Sequence, residues 1–274
     1  MSTVKLNTGP EMPLVGYGTY PLKGRRATDA ILAAIAAGYR LLDTAASYEN
    51  EDAVGAAVRE SGLPRAELFV TTKLRGRDQG RDTTRAALEA SLERLGLDYV
   101  DLYLIHWPLP AVGKYIESYA VMADLHREGL IRSLGVSNFL PEHIEAVTAA
   151  TGLRPAVDQL QVSPSHSRPE LVAAVQEGGT VVQAWSPLER NTGVLDAPAV
   201  TAIADRLGVT GAQVVLRWLL QRDVAVVPHS GDPTRQRTNA DLFGFSLTAE
   251  DMAAVSALDK GVPVKQDPAV WEEF

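Results

Sequence analysis

The chain contains no cysteine. Disulfides and thiolate chemistry are therefore excluded, and a reducing cytoplasm is the compartment that fits. Long hydrophobic runs are missing too. The longest apolar helical stretch, Ala30-Ile-Leu-Ala-Ala-Ile-Ala-Ala37, is far short of the roughly 20 residues a membrane-spanning helix needs. The opening Met1-Ser-Thr-Val-Lys5 has no secretory apolar segment, so no membrane partner is expected. Positive charge is not in excess: 26 Lys and Arg stand against 34 Asp and Glu, a net charge of −8. That is the opposite of a nucleic-acid footprint. No His-Glu-x-x-His or similar ligand spacing occurs, so no metal is expected. No Pro-, Gly- or Ser-rich linker divides the 274 residues, and the expectation is one domain over 1–274. Lysine is scarce, six against 20 arginines. With the abundant alanine, this composition is associated with GC-rich bacterial sources.

What is present is an ordinary core, 46% hydrophobic and 22% charged, arranged in alternating strand and helix patterns. Val4–Leu6 and Glu11–Pro13 flank the turn signal Asn7-Thr-Gly-Pro10, which predicts a short opening hairpin. Strand-like runs follow at Leu14–Gly18, Leu41–Asp43, Leu68–Lys73, Tyr99–His106, Arg132–Ser137, Val157–Gln161, Thr180–Ser186 and Val224–Pro228. Helical patterns separate them: Thr28–Ala37, Glu51–Glu60, Asp82–Leu95, Tyr115–Glu128, Pro141–Ala149, Pro169–Gln176, then the pair Ala199–Leu207 and Gly211–Gln221, then Pro233–Asn239. A last helix spans Thr248–Leu258. Eight strand–helix units in about 250 residues predict an α/β fold, a (β/α)8 TIM barrel with a short N-terminal hairpin and two extra helices. A doubly wound open sheet is the rival and usually needs fewer strands per domain.

In such a barrel the site lies at the C-terminal ends of the strands. Those ends read Gly18, Asp43, Lys73, His106, Ser137-Asn138, Gln159, Ser186 and Ser230. Nearly all are polar. Asp43, Lys73 and His106 end successive strands, with Tyr48 just beyond Asp43, so a carboxylate, a phenol, an ammonium and an imidazole are expected to share one rim. A phenol titrates near 10 and is a poor acid at neutral pH unless a cation favours its anion. Lys73 can supply that cation, and Asp43 can neutralise and orient it. A neutral His106 can donate one ring N–H to a substrate oxygen. Together they can move a proton at an oxygen while stabilising its charge. None is an electron donor, so a redox reaction there requires a cofactor. Singly, each has an ordinary structural reading, as cap, packing or ion pair; it is their coincidence on one rim that points to chemistry. His126, His143 and His166 fall in helical or loop contexts and read as surface.

The same residues carry a resemblance. Asp43-Thr-Ala-Ala-Ser-Tyr48-Glu-Asn-Glu51, Leu102-Tyr-Leu-Ile-His106-Trp-Pro108, Gly135-Val-Ser-Asn-Phe139 and Val227-Pro-His-Ser230 match, in order, signature segments of the aldo-keto reductase family. The chain resembles that family from Leu14 to about Leu258. With its Ala184-Trp-Ser-Pro187 segment it looks most like the small bacterial members, such as the 2,5-diketogluconate reductases. The resemblance implies NADPH-dependent reduction of an aldehyde or ketone to an alcohol, with Tyr48 as general acid, Lys73 and Asp43 tuning it and His106 orienting the carbonyl. It implies that Ser137, Asn138 and Gln159 hold the nicotinamide amide, with Trp185 stacked on the ring and Ser186 and Leu188 near the pyrophosphate. Ser230, Arg235 and Asn239 would meet the adenosine 2′-phosphate. Asp232-Pro-Thr opens a helix whose free N–H groups attract anions, and Arg suits a phosphate by its fork of donors. Tyr20, Trp107 and Trp271 would wall the substrate pocket. The open pocket expected there favours small or flat aldehydes and dicarbonyls. The family's default at this size is a monomer.

The departures carry expectations as well. His229 stands where the family commonly has Lys, which implies NADPH preference that is weakened, with some use of NADH. Asp158, Gln161 and Ser163 replace residues usual after the sixth barrel strand. Gly16-Tyr-Gly18-Thr-Tyr-Pro21 lacks the third glycine of a dinucleotide fingerprint and reads as a strand-end turn. Two other functions remain to be weighed: a non-catalytic NADPH-binding regulatory subunit on the same barrel, and a glycosidase using two of Asp43, Glu49 and Asp101, which must then face each other across one bond.

Overall fold

The computed structural model describes residues 2–189, 192–261 and 267–271. Strands β1 (Thr3–Lys5) and β2 (Glu11–Pro13) form the antiparallel hairpin. Eight further strands make one parallel sheet in chain order: β3 (Gly16–Gly18), β4 (Leu41–Asp43), β5 (Phe69–Leu74), β6 (Val100–Ile105), β7 (Ile131–Ser137), β8 (Val157–Gln161), β9 (Val181–Trp185) and β10 (Ala225–Val226). A parallel bridge between Val15 and Val226 and the bond from Gly18 N to Pro228 O bring the first and last strands together. The barrel is thereby nearly closed. β10 pairs with β9 over only two residues, Ala225 and Val226.

Period-two alternation sorts the strands into two cores. Leu42, Val70, Tyr103, Ile105, Val136, Val182 and Val226 face outward into the large cluster shared with the helices. Leu41, Phe69, Leu102, Leu104, Val157 and Ala225 face inward and pack on Leu6 and Met12 of the hairpin, which plugs the lower end. Glycine makes this interior possible. A Cβ on Gly16 would lie 2.3 Å from Leu41 Cδ2, and one on Gly135 2.4 Å from Leu104 Cδ2. Above the apolar plug, toward the C-terminal ends, the inward side turns polar with Asp43, Lys73, Gln159 and Gln183, all buried.

Helices α1 (Gly24–Ala36), α2 (Glu51–Glu60), α3 (Thr84–Leu95), α4 (Tyr115–Arg127), α5 (Pro141–Thr151), α6 (Pro169–Glu177), α7 (Pro198–Leu207), α8 (Gly211–Leu220), α9 (Pro233–Ala240) and α10 (Ala249–Ser256) surround the barrel. Side-chain caps start α8, α9 and α10, at Thr210, Asp232 and Thr248. The start expected near Thr28 is a correction. The helix begins four residues earlier, behind Lys23, which gives no side-chain cap. Thr28 is buried inside it, its hydroxyl donating to Ala53 O at 3.3 Å. The buried stripe that includes Ala27, Thr28 and Ile31 decides where the helix runs, and no capping residue marks its start. Among the described residues no single helix is long and apolar enough to cross a membrane.

Candidate active site

The strand ends converge on a cavity of about 420 Å³ at the upper mouth of the barrel. Asp43 ends β4, Lys73 lies near the end of β5, and His106 directly follows β6. Tyr48 sits on a single 3-10 turn, Ala46–Tyr48, just past β4. Lys73 is fully buried, and its ammonium has three acceptors: Asp43 Oδ1 at 2.8 Å, the Thr44 carbonyl at 2.9 Å and the Tyr48 hydroxyl oxygen at 3.4 Å. Burial works against its charge. The Asp43 carboxylate, with Tyr48, outweighs that, and the Lys73 pKa lies above the ordinary lysine value. The rings of Tyr48 and His106 meet edge to face with centroids 5.9 Å apart, and His106 Nδ1 lies 3.4 Å from Ser47 Oγ.

The rest of the Asp43–Glu51 segment turns out to be scaffolding that no residue-type argument had assigned. Asn50 is buried; its Oδ1 accepts from Thr44 Oγ1 at 2.6 Å, and its Nδ2 donates to Thr19 and to the Leu22 carbonyl. Glu51 is buried between Thr72 and Arg94, at 2.6 and 2.7 Å. These contacts hold the Tyr48 turn against β4 and β5. Thr44 and Gln183 were likewise missed. A backbone acceptor and an interior glutamine leave no signal in the order of residues.

Ser137 and Asn138 stand at the end of β7, Gln159 on β8 and Trp185 at the end of β9, and all four line the cavity. Ser137 Oγ donates to the Gln159 carbonyl at 2.7 Å. Asn138 Nδ2 donates to the His106 carbonyl and to Ser137 Oγ, and Asn138 Oδ1 accepts from Trp185 Nε1 at 3.0 Å. The indole is thus held by its N–H. Gln159 Nε2 donates to Asp43 Oδ2 and to Gln183 Oε1, both at 2.7 Å. With their hydrogens spent on one another, these side chains leave chiefly oxygen lone pairs toward the cavity, a set that fits the amino group of a carboxamide beside a flat indole. Ser186 and Leu188 line the same cavity.

Ser230, Arg235 and Asn239 lie apart from this wall, Ser230 in the turn before α9, Arg235 in its first turn and Asn239 in its last. Ser230 bonds within its own turn and its carbonyl accepts from Tyr17 and Gln236. Arg235 is exposed, while Asn239 is buried. The free N–H groups expected at this helix end are a correction: Asp232 Oδ1 already accepts from the amides of Thr234 and Arg235, at 2.7 and 3.1 Å. Those two bonds hold the Asp232 carboxyl below its ordinary pKa. An anion here would meet the Arg235 side chain beside a capped helix end. His229 Nδ1 donates to the Gly18 carbonyl at 2.8 Å.

Tyr20, Trp107 and Trp271 all reach the cavity. Tyr20 is half exposed and lies against Tyr48, centroids 5.1 Å apart; Trp107 is buried and meets Trp271 at 6.0 Å. Of the tail segment 265–274 that carries Trp271, residues 265–266 and 272–274 lie outside the described residues.

The glycosidase reading fails on geometry. Asp101 is buried on the N-terminal part of β6, bonded to Arg65 at 2.6 Å, Arg132 at 3.3 Å and the Val70 amide at 2.9 Å. Glu49 is exposed and paired with Lys23. Neither lines the cavity with Asp43. The surface reading of His143 is also overturned: it is buried against Tyr115 and Phe139, and burial lowers its pKa.

A family model described as the aldo/keto reductase family matches residues 14–260. The chain is 48% identical to an aldo-keto reductase of Mycolicibacterium vanbaalenii over 269 residues, covering 98% of this chain and 96% of that one. It is 45% identical to 2,5-diketo-D-gluconic acid reductase B of a Corynebacterium species, covering 99% and 98%. Among solved structures, a Bombyx mori aldo-keto reductase in complex with NADP superposes with a TM-score of 0.90 at 35% identity, covering 99% and 97%.

Proposed function

From the premise that this chain belongs to the aldo-keto reductase family and is an NADP(H)-dependent oxidoreductase, we propose that it reduces small aldehydes and ketones, dicarbonyls included, with Tyr48 as the general acid. The observation that carries this reading is the environment of Lys73. An ammonium holds donors only. Its three partners are a carboxylate, a carbonyl and the Tyr48 oxygen, so Tyr48 accepts from Lys73 and its own hydrogen is turned away, toward the cavity. When that hydrogen is given to a substrate oxygen, the phenolate left behind sits beside a fixed positive charge. In the tautomer with its hydrogen on Nε2, His106 meets Ser47 through Nδ1 and can donate to the same substrate oxygen, fixing the carbonyl's direction. Asp43 keeps Lys73 charged and in place.

NADPH bound in this cavity supplies the hydride that reaches the carbonyl carbon. Ser137, Asn138 and Gln159 would hold its carboxamide, Trp185 its ring, Ser186 and Leu188 its pyrophosphate side, and Ser230, Arg235 and Asn239 its adenosine 2′-phosphate. With a histidine at position 229, whose Nδ1–H is committed to Gly18, Arg235 is the cation left to favour NADPH, and some NADH is used. Tyr20, Trp107 and Trp271 shape an aromatic mouth suited to flat substrates. On this reading the chain acts as one domain, as a monomer in the cytoplasm, on a small-molecule carbonyl partner. Replacing Tyr48 by Phe tests it: reduction of an aldehyde panel, followed by loss of NADPH absorbance, falls about 100-fold or more while coenzyme affinity is retained. Turnover that survives the substitution refutes Tyr48 as the acid.

A further inference from the structure

Beneath the cavity the barrel carries two glutamines side by side. Gln159 and Gln183 occupy the same register position on adjacent strands, and both are buried. Their amides form a directional chain that begins at a charge. Asp43, paired with Lys73, holds only acceptors, so the atom 2.7 Å from its Oδ2 is the Gln159 amino nitrogen. The second hydrogen of that nitrogen goes to Gln183 Oε1, again at 2.7 Å. Gln183 must then turn its own amino group the other way, toward Met12 Sδ at 4.0 Å, a weak acceptor in the hairpin plug. Each amide's sense is set by the one before it. With both its hydrogens spent, Gln159 has only its oxygen to offer the cavity it lines.

We propose that Gln183 is a positioning residue for coenzyme recognition. Asp43 sets which end of the Gln159 amide faces the cavity, and the Gln183 oxygen, by taking the second hydrogen, holds the amide in that orientation with its carbonyl turned to the cavity, so that Gln159 takes a hydrogen from the nicotinamide carboxamide and gives none. The terminal torsion of a glutamine has broad preferences, so this orientation comes from partners rather than from the side chain itself. Asp43 holds one hydrogen; without Gln183 the other is left buried and unpaired, and the amide is free to turn toward any acceptor that offers. The inference rests on the reading of this cavity as the coenzyme site.

The test is calorimetric titration of the full chain with NADP+ and with its 3-acetylpyridine analogue, in which a methyl group replaces the carboxamide NH2. Wild type binds NADP+ about three- to tenfold more tightly than the analogue. Gln183→Met, similar in length but without the polar atoms, loses most of that difference by weakening NADP+ while leaving the analogue's affinity nearly unchanged. Gln183→Glu keeps an accepting oxygen in either protonation state and keeps the difference. Equal weakening of both ligands in Gln183→Met reduces Gln183 to a structural role and overturns the proposal, as does a wild type that does not distinguish the two ligands. If Gln183→Met does not fold, Gln183→Leu is titrated in its place against the same outcomes. A wild type that binds neither ligand is a separate result, which removes the coenzyme-site reading itself.

Discussion

On the proposed reading, replacing Lys73 by Met takes away the charge that supports Tyr48 as the acid while keeping the length of the side chain. At a Lys73–Tyr48 separation of 3.4 Å and an effective dielectric constant of about 20, a full charge stabilises the phenolate by about 5 kcal/mol. The Asp43 carboxylate, 2.8 Å from the same ammonium, opposes it. If Asp43 cancels about half, roughly 2–3 kcal/mol remains, or about 30- to 150-fold in rate. Folding is affected separately. Asp43 would keep Gln159 as a partner but lose its counter-ion, at a cost of about 3 kcal/mol. For a chain of this size that lowers Tm by about 6–12 °C. Because the Lys73 pKa is raised in the folded protein, the pair's contribution is full below the ordinary lysine pKa and is lost only as pH rises through the higher folded value. The assay is kcat for aldehyde reduction at saturating NADPH, with coenzyme affinity and Tm measured alongside. The double variant Asp43→Asn with Lys73→Met should recover stability without recovering rate, which separates the two effects. A Lys73→Met enzyme that folds and turns over within about threefold of wild type would refute the electrostatic argument.

Three other substitutions probe different parts of the molecule. Asp158 is fully buried beside the Phe139 amide, and burial raises its pKa well above the ordinary carboxyl value. A folded pKa above the unfolded one means stability lost as pH rises between them. Asp158→Asn should therefore raise Tm at neutral pH and more so in mildly alkaline than in mildly acidic buffer; a gain that does not depend on pH contradicts this. Asp101→Ala unpairs Arg65 and Arg132 at the lower end of the barrel. It should cost about 3 kcal/mol in urea unfolding, with KM and kcat unchanged. Arg235→Ala should cut the NADPH-over-NADH ratio of kcat/KM by about three- to tenfold, and an unchanged ratio means that this side chain does not read the 2′-phosphate.

The barrel was legible because its evidence is local. Several strands are short continuous apolar runs, helices follow at the spacing of a crossover, and the residue where each apolar run stops falls at the same rim. That is why Asp43, Lys73, His106, Ser137, Asn138 and Gln159 could be grouped before any distance was known. What failed was also local in cause. The first helix has no capping side chain, so the sequence pattern places its start four residues late. The residues opening the helix at Asp232 suggest free amides, although a capping aspartate consumes two of them. His143 has the sequence context of a surface residue, and its burial depends on Tyr115 and Phe139 meeting it from other elements.

Sequence alone determined the eight-unit architecture, the polar rim and the chemical types available on it, because periodicity and strand termini are properties of neighbouring residues. Only the folded barrel decided which of those groups touch. Lys73 meets the Thr44 carbonyl, Gln159 takes Asp43 on one side and Gln183 on the other, and Asp101 lies low on its strand among arginines. Such contacts depend on how neighbouring strands are offset and how far the ring closes. Those offsets come from the summed packing of the whole interior, and no short stretch of the chain contains them.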